Sequence, residues 1–306
     1  MSLTVGSKDL SEQSLPPLAT KKPREPSYNG WYAAQFLNSA SASTIDPFLP
    51  IFARKIGATS IEIGILSGIF SLINISQIIW AKVAAKGENR LIAFLGKIIS
   101  GLLFIPMAFL KTGQIVILLI LRFLQGLFTS AAAPTETSLM ASHIPQRDRT
   151  KRMQTFTRLA LIGGLLGTLF AGFAFTYLNS ELKVSDEVAF TVIFILTGLL
   201  GILTAFVFLA SVPEYRGLPE PDPSSIIYHS VSSSPSRTSL FAKIQLYLRH
   251  FSNFWWFCVF AMVFYFGVYL ASPFFIILEI EEYGFSFAEA AILTSISTAC
   301  QILFIA

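Results

Sequence analysis

Three charged residues, Arg122, Asp46 and Glu136, lie within long apolar stretches of this 306-residue sequence. A charge near the middle of a membrane helix costs about 2.5–3.5 kcal/mol, so a charged residue that persists there often has a function. On a helix, Arg122 shares one face with Glu136, and Asp46 directly precedes a proline. We therefore assign all three to transport or coupling. Arg122 would bind an anionic group or couple to a proton carrier, and Asp46 would be that carrier.

Each of these assignments has a structural alternative. Arg122 would otherwise form an ion pair with another helix, and Asp46 would be a helix-end carboxylate exposed to outside water. Glu136 would be a carboxylate at the membrane interface. Lys97 and Arg158 lie one to two turns from predicted helix ends, and we expect both side chains to reach the lipid headgroups.

Uncharged polar and aromatic side chains in the same stretches are candidates for binding a substrate. Asn38 and Thr129 share helical faces with the charged candidates, while Tyr265 and Tyr269 lie one turn apart on another helix. The full set of candidate substrate-binding residues is Asn38, Gln77, Gln125, Thr129, Tyr265 and Tyr269. Hydrogen bonds between helices, or packing against lipid and neighbouring helices, are the alternative for each of them.

Eight apolar segments carry these residues. The sequence is 53% hydrophobic and 13% charged, whereas soluble domains average about 25% charged residues. Each segment is long enough to cross roughly 30 Å of hydrocarbon, and in lipid its backbone must form its own hydrogen bonds, so each is predicted to be a helix. The segments are 30–52, 61–84, 91–110, 115–142, 154–178, 188–211, 252–277 and 288–306. The predicted fold class is an all-α membrane protein surrounded by the lipid bilayer.

The distribution of Lys and Arg predicts the orientation of these helices. Most basic residues outside the segments fall in the N-terminal tail and in every second loop. Because cytoplasmic loops carry the excess of Lys and Arg, we expect a multi-pass protein of the plasma membrane with a cytoplasmic N-terminus. The acidic turn at Glu279, Glu281 and Glu282 then falls outside. The net charge of +4 resides in short loops, so we expect no nucleic-acid partner.

An internal repeat divides the sequence into two parts. The residues that recur, with one residue inserted in the second part, are Pro47, Phe48, Gly57 and Glu62 in the first and Pro273, Phe274, Gly284 and Glu289 in the second. Transporters built from two six-helix halves show such repeats. We therefore expect a chain truncated after its eighth helix, inside a second six-helix bundle.

A linker rich in Pro and Ser separates the two parts, and it should be mobile. The predicted units are a cytoplasmic tail at 1–28, a six-helix bundle at 29–212, a cytoplasmic linker at 213–250 and an incomplete second bundle at 251–306.

Four sequence motifs resemble those of the major facilitator superfamily. "PFLPIFARKIGATSIEIGILSG", at 47–68, is similar to the first-to-second helix signature, and Gly64 and Gly68 would let two helices approach closely. "RFLQG", at 122–126, resembles an Arg-x-x-x-Gly element. "GGLLGTLFAG", at 163–172, resembles an antiporter element with Thr168 in place of its proline. The helix-packing residues of these motifs are Gly126, Gly163, Gly167 and Gly172.

The fourth motif is the loop "AKVAAKGENR" at 81–90. It is similar to the cytoplasmic loop motif of the family through Lys86, Gly87 and Arg90, and it lacks the acidic residue of that motif. The resemblance implies that the acidic residue helps to lock the cytoplasmic side, so this lock is either missing here or moved to Glu88.

The resemblance implies a secondary active transporter that works by alternating access between two halves. Proton-coupled efflux of small organic molecules is favoured through the antiporter-like element, and proton-coupled uptake of an organic acid or sugar is the alternative. A membrane receptor or scaffold without transport activity is the rival of another class. The expected partners are a small-molecule substrate and protons, and the protein is expected to be a monomer.

The sequence gives no reason to expect an enzyme, a cofactor or a metal site. It contains no Gly-x-x-x-x-Gly-Lys-Ser/Thr stretch for binding nucleotide phosphates. Its two cysteines, Cys258 and Cys300, both lie in apolar segments, and its three histidines have no ligand spacing.

Overall fold

The computed structural model describes residues 28–84, 89–212 and 252–304. The predicted tail before Tyr28, the linker at 213–250, and Lys86 and Gly87 lie outside the described residues. The side chains of Tyr265 and Tyr269 are also outside the description, although their helix is within it.

Every regular element in the described ranges is a helix, which confirms the predicted fold class. Two short non-α turns, a 3₁₀ turn at Asn74–Ser76 and a π turn at Leu278–Glu282, interrupt the pattern. The α-helices are α1 (Asn29–Ile45), α2 (Leu49–Lys55), α3 (Ser60–Ile73), α4 (Gln77–Ala84), α5 (Asn89–Met107), α6 (Ile115–His143), α7 (Gln146–Ser180), α8 (Asp186–Ser211), α9 (Ser252–Ile277) and α10 (Phe287–Phe304).

The helices differ from the predicted segments in number and in bounds. Among the described residues, four helices are long and apolar enough to cross a membrane, namely α5, α6, α7 and α8. The first predicted segment is two helices, because the chain turns at 46–48 before Pro50 starts α2. Helix α7 begins at Gln146, before the apolar part that predicted it, because a polar stretch can continue a helix into water.

The outer surface of the bundle is apolar, as lipid contact requires. On α8, Leu199, Leu203 and Phe206 are each at least half exposed. Soluble monomers rarely expose contiguous apolar patches of this kind. These side chains are suited to contact with the acyl chains of a bilayer.

Two predicted glycines allow α1 and α7 to pack closely. A Cβ on Gly163 would lie 2.3 Å from the carbonyl oxygen of Phe36, and one on Gly167 would lie 2.3 Å from that of Ala40. No side chain fits at such distances, so the backbones of α1 and α7 touch at these positions. Gly172 does the same for α7 and α10, because its Cβ would lie 2.3 Å from that of Ala291.

The predicted close approach at Gly64 and Gly68 is wrong for the described part of the chain. A Cβ on either residue would meet no described atom within 4 Å. The spacing of small residues shows where two helices can approach, but it does not show which helices are neighbours.

The two turns of the internal repeat have the same structure. Gly57 has φ +98° and Gly284 has φ +68°, a region that favours glycine. After Gly57, the backbone N–H and the hydroxyl of Thr59 donate to the carboxylate of Glu62 at 2.7 and 2.8 Å. After Gly284, the same two groups of Ser286 donate to the carboxylate of Glu289, both at 2.8 Å. Each pair is a capping box that starts the next helix, α3 or α10.

The inserted residue of the second repeat is located in the π turn. The backbone N–H of Tyr283 donates to the carbonyl oxygen of Leu278 at 3.1 Å, five residues back. A π turn holds one residue more than an α turn, so it takes up the insertion between Pro273 and Gly284. The repeated prolines differ in their surroundings, because Pro273 lies inside α9 whereas Pro47 lies in the turn between α1 and α2.

A cluster of phenylalanine rings joins α10 to the α1–α2 turn, α7 and α8. The ring of Phe175 lies 5.4 Å from that of Phe48, 4.6 Å from that of Phe190 and 4.8 Å from that of Phe287. Phe48, Phe175 and Phe190 are fully buried. Such aromatic pairs stabilise packing beyond the area that they bury, so the cluster fixes where α10 lies against the α1–α2 turn and α7.

Candidate functional site

A cavity of about 1030 Å³ lies between the first part of the chain and the α9–α10 hairpin. This volume is at the upper end of the range for sites that bind small organic molecules. The cavity is lined by Asp46, Pro47, Leu49, Pro50, Leu66, Ser67, Asn74, Arg122, Gly267, Val268, Ala271, Ser272, Pro273, Phe275, Ile276, Glu279, Leu293, Thr294, Ser297 and Thr298. The first, second, fourth, seventh and eighth predicted segments all contribute to this lining.

The structure brings Arg122 and Asp46 together in the wall of this cavity. Nη2 of Arg122 lies 2.8 Å from Oδ1 of Asp46. The Arg122 side chain is only 7% exposed, whereas the Asp46 side chain is 37% exposed. Asp46 owes this position to the chain turn after α1, because the turn ends the helix and leaves the carboxylate beside α6. The pair therefore joins a buried guanidinium to a carboxylate that a proton or a ligand can reach.

A network of hydrogen bonds among side chains of α5 and α6 also holds the Arg122 guanidinium. Its Nη1 donates to Oε1 of Gln125 at 2.9 Å, and Nε2 of Gln125 donates to the hydroxyls of Ser100 at 3.1 Å and Thr129 at 3.2 Å. Gln125 and Thr129, predicted to bind substrate, are not among the described residues that line the cavity. Their contacts orient Arg122 between α5 and α6.

A second ion pair, between Lys97 of α5 and Glu136 of α6, is buried inside the bundle. Nζ of Lys97 lies 2.6 Å from Oε1 of Glu136 and donates to Oδ1 of Asn38 at 3.0 Å. The two charged side chains are 4% and 11% exposed. The expectation that Lys97 reaches the headgroups is therefore wrong, as is the interfacial alternative for Glu136. The Lys97 side chain points into the bundle, and Asn38 binds it there.

The other predicted residues lie away from the main cavity. Gln77 donates through Nε2 to Oδ1 of Asn74 at 3.0 Å and lines a separate cavity of about 470 Å³ between α4 and α6. Arg90 donates through Nη2 to the carbonyl oxygen of Leu209 and so ties α5 to α8. Gly126 is buried in α6.

Glu279 is the one charged residue of the described cavity wall that was not among the predicted site residues. It lies in the π turn, at a position that we expected only to be exposed to outside water. Among the described residues, its buried Oε2 atom has no hydrogen-bond partner. Burial raises the pKa of its carboxyl above the ordinary value, because loss of water disfavours the charged form.

Comparisons with known proteins now identify the family. A family model described as the Major Facilitator Superfamily matches residues 31–306. The chain belongs to the Major Facilitator Superfamily. Together with the four helices of spanning length among the described residues, this membership makes it a multi-pass membrane protein of a transporter family and not an enzyme.

Curated relatives of this superfamily member are bacterial. The chain is 27% identical over 194 residues to the multi-drug resistance efflux pump PmrA of Streptococcus pneumoniae, a match that covers 60% of this chain and 42% of the pump. It is 25% identical over 155 residues to the PmrA homolog of Lactococcus lactis, covering 47% of this chain and 37% of that protein. The matched region is thus less than half of either relative.

A solved structure in the superfamily shows the same fold. It is the crystal structure of a bacterial homolog to the human lysosomal transporter Spinster, in an inward-facing and occupied conformation. The match has a TM-score of 0.66 at 18% identity, and it covers 86% of this chain and 56% of that chain. An unoccupied inward-facing structure of the same homolog gives a TM-score of 0.61 at 19% identity, covering 86% and 57%.

Proposed function

We propose that this protein acts as a secondary active transporter that exports small organic molecules in exchange for protons. The observation that carries the proposal is the Arg122–Asp46 ion pair, which lies in the wall of a cavity large enough for a small organic molecule. Family membership supports transport, and the efflux pumps among the relatives support export. We also propose alternating access in a plasma-membrane monomer with a cytoplasmic N-terminus.

In the proposed mechanism, a proton is coupled to substrate through the Arg122–Asp46 ion pair. The deprotonated Asp46 is neutralised by Arg122 at 2.8 Å. A proton that binds the Asp46 carboxylate removes its negative charge and with it the Coulomb attraction that holds the two side chains together. Arg122 is then left with its network partners on α5 and α6. Proton binding would in this way alter the contacts between the α1–α2 turn and α6, in the wall that a substrate touches.

The test is transport in membrane vesicles from cells that produce the protein. Inverted vesicles are energised with a proton gradient, and uptake of ethidium, Nile red and carboxyfluorescein is measured before and after nigericin collapses the pH gradient. We expect gradient-dependent uptake of at least one of these compounds. If none of the three compounds shows gradient-dependent uptake while the protein is present and folded, the result would favour a receptor or scaffold over a transporter.

Variants separate the roles of the two charges. Arg122→Ala, Arg122→Lys and Asp46→Asn should each lower gradient-driven uptake about tenfold or more, because each disturbs the ion pair. Arg54→Gln is the matched control, since Arg54 forms a half-exposed ion pair with Glu281. Near-normal transport by both Arg122 variants would refute its role. Transport by Asp46→Asn with an unchanged dependence on pH would refute the proton-carrier role.

A further inference from the structure

The charges in the cavity wall do not balance. The described lining residues carry three formal charges, on Asp46, Arg122 and Glu279. Asp46 and Arg122 are 2.8 Å apart and neutralise each other. Glu279 therefore leaves the cavity with a net negative charge when its carboxyl is ionised.

The two described cations that approach the acidic turn from α2, Arg54 and Lys55, are paired with acids other than Glu279. Arg54 lies 3.9 Å from a carboxylate oxygen of Glu281, and Lys55 forms an ion pair with Asp186. Oε2 of Glu279 is buried and accepts no hydrogen bond from any described residue. A carboxylate oxygen that is buried without a hydrogen-bond partner is costly, and a ligand that brings a positive charge to it would lower this cost.

The π turn is what places Glu279 in the wall. This turn, Leu278–Glu282, holds the extra residue of the second repeat. The turn follows the last residue of α9, and its wider hydrogen-bond spacing changes the direction in which the side chains after Ile277 point.

The rest of the wall suits the body of an amphipathic molecule. Leu66, Val268 and Phe275 provide apolar surface, and Thr294 and Thr298 on α10 provide hydroxyl groups. Apolar walls with a few polar groups are typical of sites for small organic ligands, and an aromatic ring adds attraction for a cation.

We propose that Glu279 forms a cation-binding subsite, and that the cavity takes amphipathic organic cations such as protonated or quaternary amines. The inference rests on the proposed function, because it names the substrate class of the same cavity. Glu279 would contact the charged end of the substrate directly, whereas the Arg122–Asp46 pair would serve the proton.

Two probes of matched shape and opposite charge test this inference. Binding of tetraphenylphosphonium, a cation, and tetraphenylborate, an anion, is measured by equilibrium dialysis on the purified chain in detergent. The wild-type protein should bind the cation more tightly. Glu279→Gln should weaken cation binding about tenfold or more, the loss expected for an interaction of about 1.4 kcal/mol, without weakening anion binding. Glu279→Asp keeps the charge and should keep the preference for the cation.

Glu281→Gln is the control, since it removes a neighbouring acid that is paired outside the cavity. It should leave both affinities unchanged. The inference is overturned if the wild type binds the anion as well as the cation, if Glu279→Gln leaves cation binding unchanged, or if that variant weakens both probes equally. Gradient-driven export of other compounds alongside any of these results would leave the proposed function standing. Conversely, Glu279-dependent cation binding without gradient-driven export would refute only the proposed function.

Discussion

Removing one partner of the Lys97–Glu136 pair should destabilise the protein strongly. The two side chains are 4% and 11% exposed, and Lys97 Nζ is also bound by Asn38. In Lys97→Met, the Glu136 carboxylate would stay buried without its counter-charge. Breaking a buried ion pair in this way costs about 3–5 kcal/mol, because the remaining charge is left uncompensated. Glu136→Gln, which leaves the ammonium group unpaired, should have a cost of the same order.

The double variant Lys97→Met/Glu136→Gln should lose less than the sum of the two single variants. With both charges gone, no uncompensated charge remains, and we expect a coupling energy of about 1.5–3 kcal/mol. The assay is unfolding of the purified protein by sodium dodecyl sulfate in mixed micelles, followed by circular dichroism. Arg147→Gln, at a 93% exposed side chain, should change the free energy of unfolding by less than about 0.5 kcal/mol. Additive single and double variants would show that the pair does not stabilise the bundle.

The same unfolding assay checks two further predictions. Gly167→Ala should destabilise the protein by about 1–3 kcal/mol, because its Cβ would lie 2.3 Å from the carbonyl oxygen of Ala40. Gly68→Ala is the control, and it should be neutral or stabilising because no described atom lies within 4 Å of the added Cβ. Equal effects of the two variants on the free energy of unfolding would contradict the packing described for α1 and α7. Burial raises the pKa of Glu279 above 4.5, so the folded state binds this proton more tightly and wild-type stability should fall as the pH rises from 4.5 through the raised value. Glu279→Gln should remove this decline. If the difference in the free energy of unfolding between wild type and Glu279→Gln does not vary with pH, this prediction is contradicted.

The helical fold follows from the sequence because the bilayer leaves few alternatives. Long apolar segments must be helices there, and the family motifs predict their order along the chain. The recurrence of Gly57 and Glu62 at Gly284 and Glu289 also predicted two equivalent turns, and both turns form the same capping box. These features are local, so a linear pattern is enough to predict them.

The partners of individual side chains were harder to predict. The sequence shows how far Lys97 lies from a helix end, but it does not show in which direction the Lys97 side chain points. Lys97 and Glu136 lie at similar distances from the same end of the bundle, as do Arg122 and Asp46 from the other end. Matching opposite charges by depth across helices was a signal available in the sequence, and it would have predicted both pairs.

The contacts of Gly64 and Gly68 and the role of Glu279 depend on the three-dimensional arrangement. A small residue permits close packing but does not select the helix that approaches it. Glu279 was placed in an exposed acidic turn, because nothing in the sequence showed that the inserted residue would form a π turn beside a cavity.

The π turn has a consequence for how a molecule would sit in the cavity. Counted from the repeated proline, Glu279 corresponds to Ala53, a fully buried residue of α2. Two identical repeats would enclose a space with the same groups on either side, in which an elongated guest could lie either way round. The insertion adds one more difference between the two sides at Glu279, so under the proposed cation binding a guest with a single charged end would have one preferred heading, towards the α9–α10 hairpin.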